Sequence, residues 1–433
     1  MNTRPTALSP LRHPQFRLLA TSMALSLGGA GLLVVAMVWQ VVALGGGPAE
    51  LSMVATASAA GLVSTALLGG VLADRVPQRR ILFASEATKT LVIGAVAVLA
   101  WTGQVQVWHL ALAGLIGGVM DGLYYPAYSA LVPALLPAED LLGANGLEGF
   151  ARTMVLNAAG PAVAGAVIAA TSPAAALTLT AACTFAASAV LLALPPTPVR
   201  RDLAQVPSHP VRAVLHDLGE GFRYLVATPW LHATLAYASL LVLLIMGPFE
   251  VLLPFAIKDR AGGGPAEHAL VLTAFGIGGA FGSLAVSSMR LPRRYLTTMN
   301  LMWGLGCLPL IVLGVTRSVP MMALAAMVAG ITFNGAQVIW GTLLQRRVPS
   351  ELLGRVSSLD FFVSLAFMPV SMALAGPVSE AIGLTPTFVV AGTVPVLLAV
   401  VAILAARMPA DELAHPLREE ADAVVGRTEP VRP

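Results

Sequence analysis

Apolar residues along this chain neither alternate nor recur on a single helix face; they come in long runs broken by short clusters of charge. A run of about 20 apolar residues matches the bilayer's hydrocarbon thickness at the rise of an α-helix, whereas a membrane barrel shows alternating segments of about ten. The pattern predicts membrane-crossing helices near 17–44, 50–73, 81–101, 106–132, 148–170 and 174–195. A second set is predicted near 230–257, 267–289, 295–315, 319–344, 357–382 and 384–407. The polar, Pro-rich stretch from Pro195 to Pro229 separates the sets and reads as a linker. The expected fold is all-α: twelve transmembrane helices in two pseudo-symmetric six-helix bundles. The boundaries are 1–195 for the first bundle, 196–229 for a cytoplasmic linker, 230–408 for the second bundle and 409–433 for a solvated cytoplasmic tail.

An internal repeat supports the division. Leu18, Ala20, Thr21, Ser26 and Leu27 recur as Leu231, Ala233, Thr234, Ser239 and Leu240, an offset of 213. Gly70 to Ala73 recurs as Gly282 to Ala285 at 212, and Leu141 to Gly143 as Leu352 to Gly354 at 211. Parallel six-helix repeats, each with nested inverted halves, place a substrate site between the bundles near the midplane.

Composition agrees with lipid exposure: 57% of the 433 residues are hydrophobic and 11% charged, too little polar surface to cover a soluble globule. The net charge of +3 is a matter of topology rather than of an anionic or nucleic-acid partner, because the basic residues cluster in alternate loops. Arg75, Arg79 and Arg80, then Arg290, Arg293 and Arg294, then Arg346, Arg347 and Arg355 mark loops expected to be cytoplasmic, with both termini inside. Arg12, His13 and Arg17 lead into an apolar run longer than a cleavable signal core, so the first helix is expected to stay. Only Lys89 and Lys258 are lysines among 25 basic residues, a bias that points to a GC-rich bacterial genome. Cys183 and Cys307 sit inside apolar spans and read as small buried hydrophobes, with neither a disulfide nor a metal site implied.

Ionisable residues inside spans point to function, since a charge in hydrocarbon costs several kcal/mol without a partner or water. Asp121 in helix 4 and Glu250 in helix 7, just after Gly247-Pro248, are candidate proton carriers, with Glu250 the first choice. The structural alternatives are an ion pair of Asp121 with the Arg75 to Arg80 cluster and an interfacial Glu250 near Lys258. Asp360 reads as a first-turn residue of helix 11 stabilised by the helix dipole, and Glu148 and Arg152 as an i,i+4 pair. Trp39, Gln40, Tyr124, Tyr125, Asn157, Tyr237, Asn334, Gln337 and Trp340 lie on central spans and are candidate cavity residues. Packing or interfacial anchoring competes as an explanation for each.

The run Gly70-Val-Leu-Ala-Asp74-Arg75-Val-Pro77-Gln-Arg79-Arg80 resembles the loop 2 to 3 signature of the major facilitator superfamily, with Pro77 departing from its second glycine. The resemblance implies a cytoplasmic gate in which Asp74 meets the N-terminal end of helix 11 near Ser357 and holds the outward-facing state shut. Gly160-Pro161-Ala-Val-Ala-Gly165 in helix 5 resembles a relaxed form of the antiporter motif of exporters in this superfamily. The segments Leu11 to Leu18 and Pro126 to Asn145 resemble the drug:proton antiporter branch that includes macrolide-efflux-type and enterobactin-exporter-type proteins. The arginine familiar in helix 4 of many proton antiporters is absent around Gly114 to Gly122.

No phosphate-binding loop, catalytic triad or metal-ligand cluster can be assembled from the sequence. The expectation is therefore a monomeric secondary transporter of the bacterial inner membrane, without metal or cofactor and driven by a proton gradient, exporting small amphiphilic compounds such as drugs or antibiotics. A dedicated exporter of one endogenous metabolite such as a siderophore is the alternative, and a membrane-embedded enzyme the reading from another class.

Overall fold

The computed structural model describes residues 8–73, 76–137, 140–195, 219–220 and 222–417. Six helices form the first bundle: α1 (Pro14–Ala43), α2 (Pro48–Ala73), α3 (Gln78–Trp101), α4 (Val107–Leu135), α5 (Gly143–Ala170) and α6 (Pro173–Leu192). Six more form the second: α7 (Pro229–Ala261), α8 (Pro265–Ser288), α9 (Tyr295–Val315), α10 (Val319–Arg347), α11 (Ser350–Ala366, continued as Met368–Ile382) and α12 (Leu384–Ala405). A short α13 (Met408–Ala414) follows. Among the described residues, eleven helices are long and apolar enough to cross a membrane. The remaining one, α2, has 26 residues, a single charge, Glu50, in its first turn, and packs along α4. No strand occurs among the described residues.

Prolines start five of the helices, α1, α2, α6, α7 and α8, because a missing N–H costs nothing at the first helical position. The α1–α2 and α7–α8 turns are equivalent in the two halves, and each reverses through a glycine in the left-handed region, Gly45 (φ 79°) and Gly262 (φ 65°). Close helix pairs are built on small residues: Gly61, Gly69, Gly118 and Gly122 bring α2 and α4 backbones together, and Gly278, Gly282 and Gly330 do the same for α8 and α10.

Two helices leave α geometry. In α5 the wider π turn runs over Arg152–Ala159 and ends at Gly160-Pro161; in α7 it runs over Pro248–Leu252, opened by Gly247-Pro248. Each proline removes an N–H from the ladder, so a carbonyl one turn back needs another donor.

Two elements start earlier than the sequence expectation: α5 at Gly143 rather than near 148, and α11. Helix α11 begins at Ser350 rather than near 357, so Asp360 lies in its third turn, not its first. The helix dipole acts only within the first turn, and Asp360 is held instead by side chains, Trp340 Nε1 donating at 3.0 Å and Ser364 Oγ at 3.2 Å.

Candidate functional site: an intramembrane charge cluster beneath a one-ended seal

Among the described residues, the hydrogen bonds between the two bundles lie away from the arginine-bearing end. There α2 meets α11, with the Gly376 N–H donating to Ser52 Oγ at 2.8 Å and Gly376 lying on the backbone of Pro48 and Ala49. Likewise α5 meets α8, where Gly165 faces Ala269 and the Pro265 carbonyl. Thr273 Oγ1 of α8 donates to the Ala158 carbonyl at 3.1 Å, a carbonyl within the π turn of α5. Trp39 Nε1 of α1 donates to His268 Nδ1 of α8 at 3.3 Å, both side chains being buried.

Toward the arginine-bearing end the first bundle presents a cavity of about 520 Å³ between α4 and α5. Tyr125, Ser129, Asn145, Glu148 and Arg152 supply its polar wall. Arg152 pairs with Glu148 at 3.3 Å, as their spacing predicts, and its guanidinium lies 5.0 Å from the Tyr125 ring centre.

One turn of α4 from Tyr125 lies Asp121, whose side chain is 52% exposed despite its position in mid-span. Its partner among the described residues is Lys89 of α3, at 3.1 Å, rather than Arg79 or Arg80 of the loop considered from sequence. The reason is depth: Lys89 is eleven residues into α3, about 16 Å along the axis, level with Asp121, whereas Arg79 and Arg80 stay in the first turn. Lys89 also pairs with Glu86 at 2.8 Å, and Glu86 is wholly buried. Ser26 Oγ of α1 donates to Glu86 Oε1 at 2.8 Å, while Glu86 Oε2 has no partner among the described residues. The Tyr124 ring lies under the Lys89 ammonium at 5.3 Å. Glu86 and Lys89 were not singled out from sequence, although an acid and a base three apart inside an apolar span were a readable signal.

Glu250 lies within the π turn of α7, and no ion pair or hydrogen bond reaches it among the described residues; Lys258 is not its partner. The remaining candidates divide. Tyr124 and Tyr125 border the charge cluster and the cavity, and Asn157, against which Gly276 packs, lies at the α5–α8 junction. Trp39 and Gln40 are buried near the seal. Gln337 is exposed on α10, and Asn334 turns back to the Gly330 carbonyl against Gly279. Tyr237 and Trp340 are buried inside the second bundle, Trp340 in a cluster with Trp230 and Trp303.

Of the loop 2 to 3 motif, Asp74 and Arg75 lie outside the described residues, and Gly70 is described only as part of α2. Arg79 donates to the Leu191 and Leu192 carbonyls at 2.9 and 2.7 Å, closing the C-terminal end of α6, while Arg80 is exposed. Of the helix 5 motif, Gly160 admits Gly31 of α1 with Pro161 beside it, and Gly165 touches the other bundle.

A profile of the transmembrane secretion effector family matches residues 5–423. A protein of Mycolicibacterium fortuitum named multidrug efflux pump Tap is 29% identical over 409 residues, covering 92% of this chain and 97% of its own. The enterobactin exporter EntS of Escherichia coli O139:H28 is 25% identical over 355 residues, covering 80% and 81%. Among solved structures, the nucleoside transporter NupG aligns with a TM-score of 0.71 at 13% identity, covering 90% of this chain and 98% of that one. A bacterial homologue of the human lysosomal transporter Spinster, in an inward-facing conformation, aligns at 0.70 and 14%, covering 92% and 98%. The two structures share the fold.

Proposed function

This chain belongs to the transmembrane secretion effector family and has the major facilitator fold, and we propose that it exports small amphiphilic molecules across a bacterial cytoplasmic membrane by proton-coupled alternating access. The observation that carries the reading is the one-ended seal above an exposed, charge-lined cavity. With the arginine-bearing loops on the cytoplasmic side, as the distribution of positive charge requires, that cavity takes its cargo from the cytoplasm and both termini lie inside. The names of the relatives, a multidrug efflux pump and a siderophore exporter, support outward transport.

In this reading the proton gradient supplies the energy, the monomer is the working unit, no cofactor is needed and the cargo leaves unaltered. Glu250 is the first proton carrier and Asp121 the second: each is a carboxylate in mid-bundle, one without a partner among the described residues in a helix break and one exposed, a turn of α4 from Tyr125 of the cavity wall. The relative named as an enterobactin exporter favours a second reading, export of one endogenous product.

Dye and antibiotic efflux from cells expressing the wild type, Glu250→Gln and Asp121→Asn tests the proposal, with and without a protonophore. Wild-type efflux is expected to vanish with the protonophore and to fall near background in Glu250→Gln. Unchanged efflux in both variants refutes the coupling assignment. A wild type that exports none of the compounds refutes the multidrug reading in favour of a single product.

A further inference from the structure

Five side chains on three helices, Ser26, Glu86, Lys89, Asp121 and Tyr124, form a cluster in the membrane interior whose geometry goes beyond proton carriage. With Lys89 an ammonium and both acids ionised, the cluster carries one net negative charge. That charge can be neutralised only where the cluster is open, and the open member is Asp121, since Glu86 is 0% and Lys89 7% exposed. Elsewhere in mid-bundle the acids Glu250 and Asp360 have no basic partner among the described contacts, so the interior as a whole favours a positive guest.

Lys89 meanwhile has a second place to go. Its ammonium already touches Glu86 Oε1, and the other oxygen of that carboxylate, fully enclosed, is an acceptor with no donor. An unfilled buried acceptor is costly, and a donor that moves to it recovers the loss. Lys89 needs no new environment to do so.

We propose that Asp121 is the docking carboxylate for the cationic group of the cargo, and that Lys89 is a tethered competitor which withdraws to the free Glu86 oxygen when the cargo binds. The cargo class is then a cation with an aromatic or apolar body, received beside Tyr124 and Tyr125. Glu86, which is wholly buried, sets affinity by giving Lys89 its refuge. Glu86 and Lys89 are positioning residues, and Asp121 is the contact. This rests on the exporter reading, with the cluster one turn of α4 from the cavity's Tyr125, but its test is equilibrium binding and needs no transport.

The probe is tetraphenylphosphonium, titrated onto the purified full-length protein in lipid nanodiscs, with neutral triphenylphosphine oxide as control. Asp121→Asn is expected to weaken the cation by about tenfold or more, since a unit charge at contact distance is worth at least that in a partly wet site. Glu86→Gln is expected to weaken it comparably, because Lys89 then stays on Asp121. Adding Lys89→Gln to Glu86→Gln removes the competitor, leaves a neutral buried pair and restores wild-type affinity or better. The neutral control is expected to respond to none of these. Glu86→Gln with wild-type affinity, or a double variant as weak as Glu86→Gln alone, overturns the proposal, whether or not the wild type exports anything.

Discussion

Removing the Lys89 ammonium alone strands the Glu86 carboxylate, which has only the Ser26 hydroxyl as another donor. Breaking a buried pair from one side costs about 3–5 kcal/mol, more than replacing both members together. Lys89→Met is therefore expected to lower the unfolding temperature in lipid well below that of Glu86→Gln/Lys89→Gln, and the reverse order would contradict the pairing. Outside the membrane, Ser9 and His13 donate to Asp140, and these bonds hold its carboxyl below the usual range. The sign follows: the contribution is complete above the ordinary aspartate value of about 3.9 and is lost as pH falls through the lower folded value. Amide exchange over residues 9–13 is expected to stay slow down to about pH 4 and to quicken below it. In Asp140→Asn it is expected to be fast already at neutral pH; equal protection in both proteins would show that Asp140 does not hold that turn. At this scale the sequence was only half legible. Asp121 and Glu250 stood out as lone acids, but hydropathy places a residue in a span without giving its rotation or its neighbour's depth. Hence the partner weighed for Asp121, beside its reading as a proton carrier, was the loop arginines, and Glu86 and Lys89 passed as part of an apolar run.

The breaks in α5 and α7 belong to the next scale. Gly160-Pro161 and Gly247-Pro248 were visible in the sequence, but not that the π turn precedes the proline in α5 and follows from it in α7. That difference matters because the π turn of α5 contains the Ala158 carbonyl, which accepts from Thr273 of the other bundle. Thr273→Val is expected to weaken the seal by about 0.6 kcal/mol, the usual worth of such a bond between membrane helices. Gly165 has a larger lever, since a side chain there meets Ala269 and the Pro265 backbone. Overpacking of this kind costs about 1–3 kcal/mol, enough to shift a two-state equilibrium roughly fivefold or more. In a background lacking Cys183 and Cys307, Gly165→Leu is expected to raise the labelling of Ala49→Cys by an impermeant maleimide added outside and to lower that of Asn145→Cys from inside. Unchanged rates at both sites would remove Gly165 from the seal. The late start expected for α11 has a simple origin: Ser350-Glu-Leu-Leu-Gly-Arg355 is too polar to register as a span. Pro349, just ahead of it, carried the start signal.

For the molecule as a whole, the repeat was the most legible feature, because a bilayer leaves few choices: each crossing must be apolar, helical and long enough. Its consequence is visible in α4 and α10, equivalent helices of 29 residues each, paired through glycines with α2 and α8. What the repeat could not reveal is which end is sealed, since that is a property of one state of a two-state machine. The central claim is that the two bundles exchange that seal from end to end as rigid bodies. Pulsed spin-label distances in lipid test it most directly, with one pair at Val76 and Arg290 on the arginine-bearing end, one at Gln104 and Arg317 on the other, and a third within the first bundle at Val76 and Leu136. On adding an exported substrate or changing pH, the first distance is predicted to shorten as the second lengthens, with the third fixed. Distances between the bundles that stay constant while the protein transports, or a change confined to the pair within one bundle, would contradict the account.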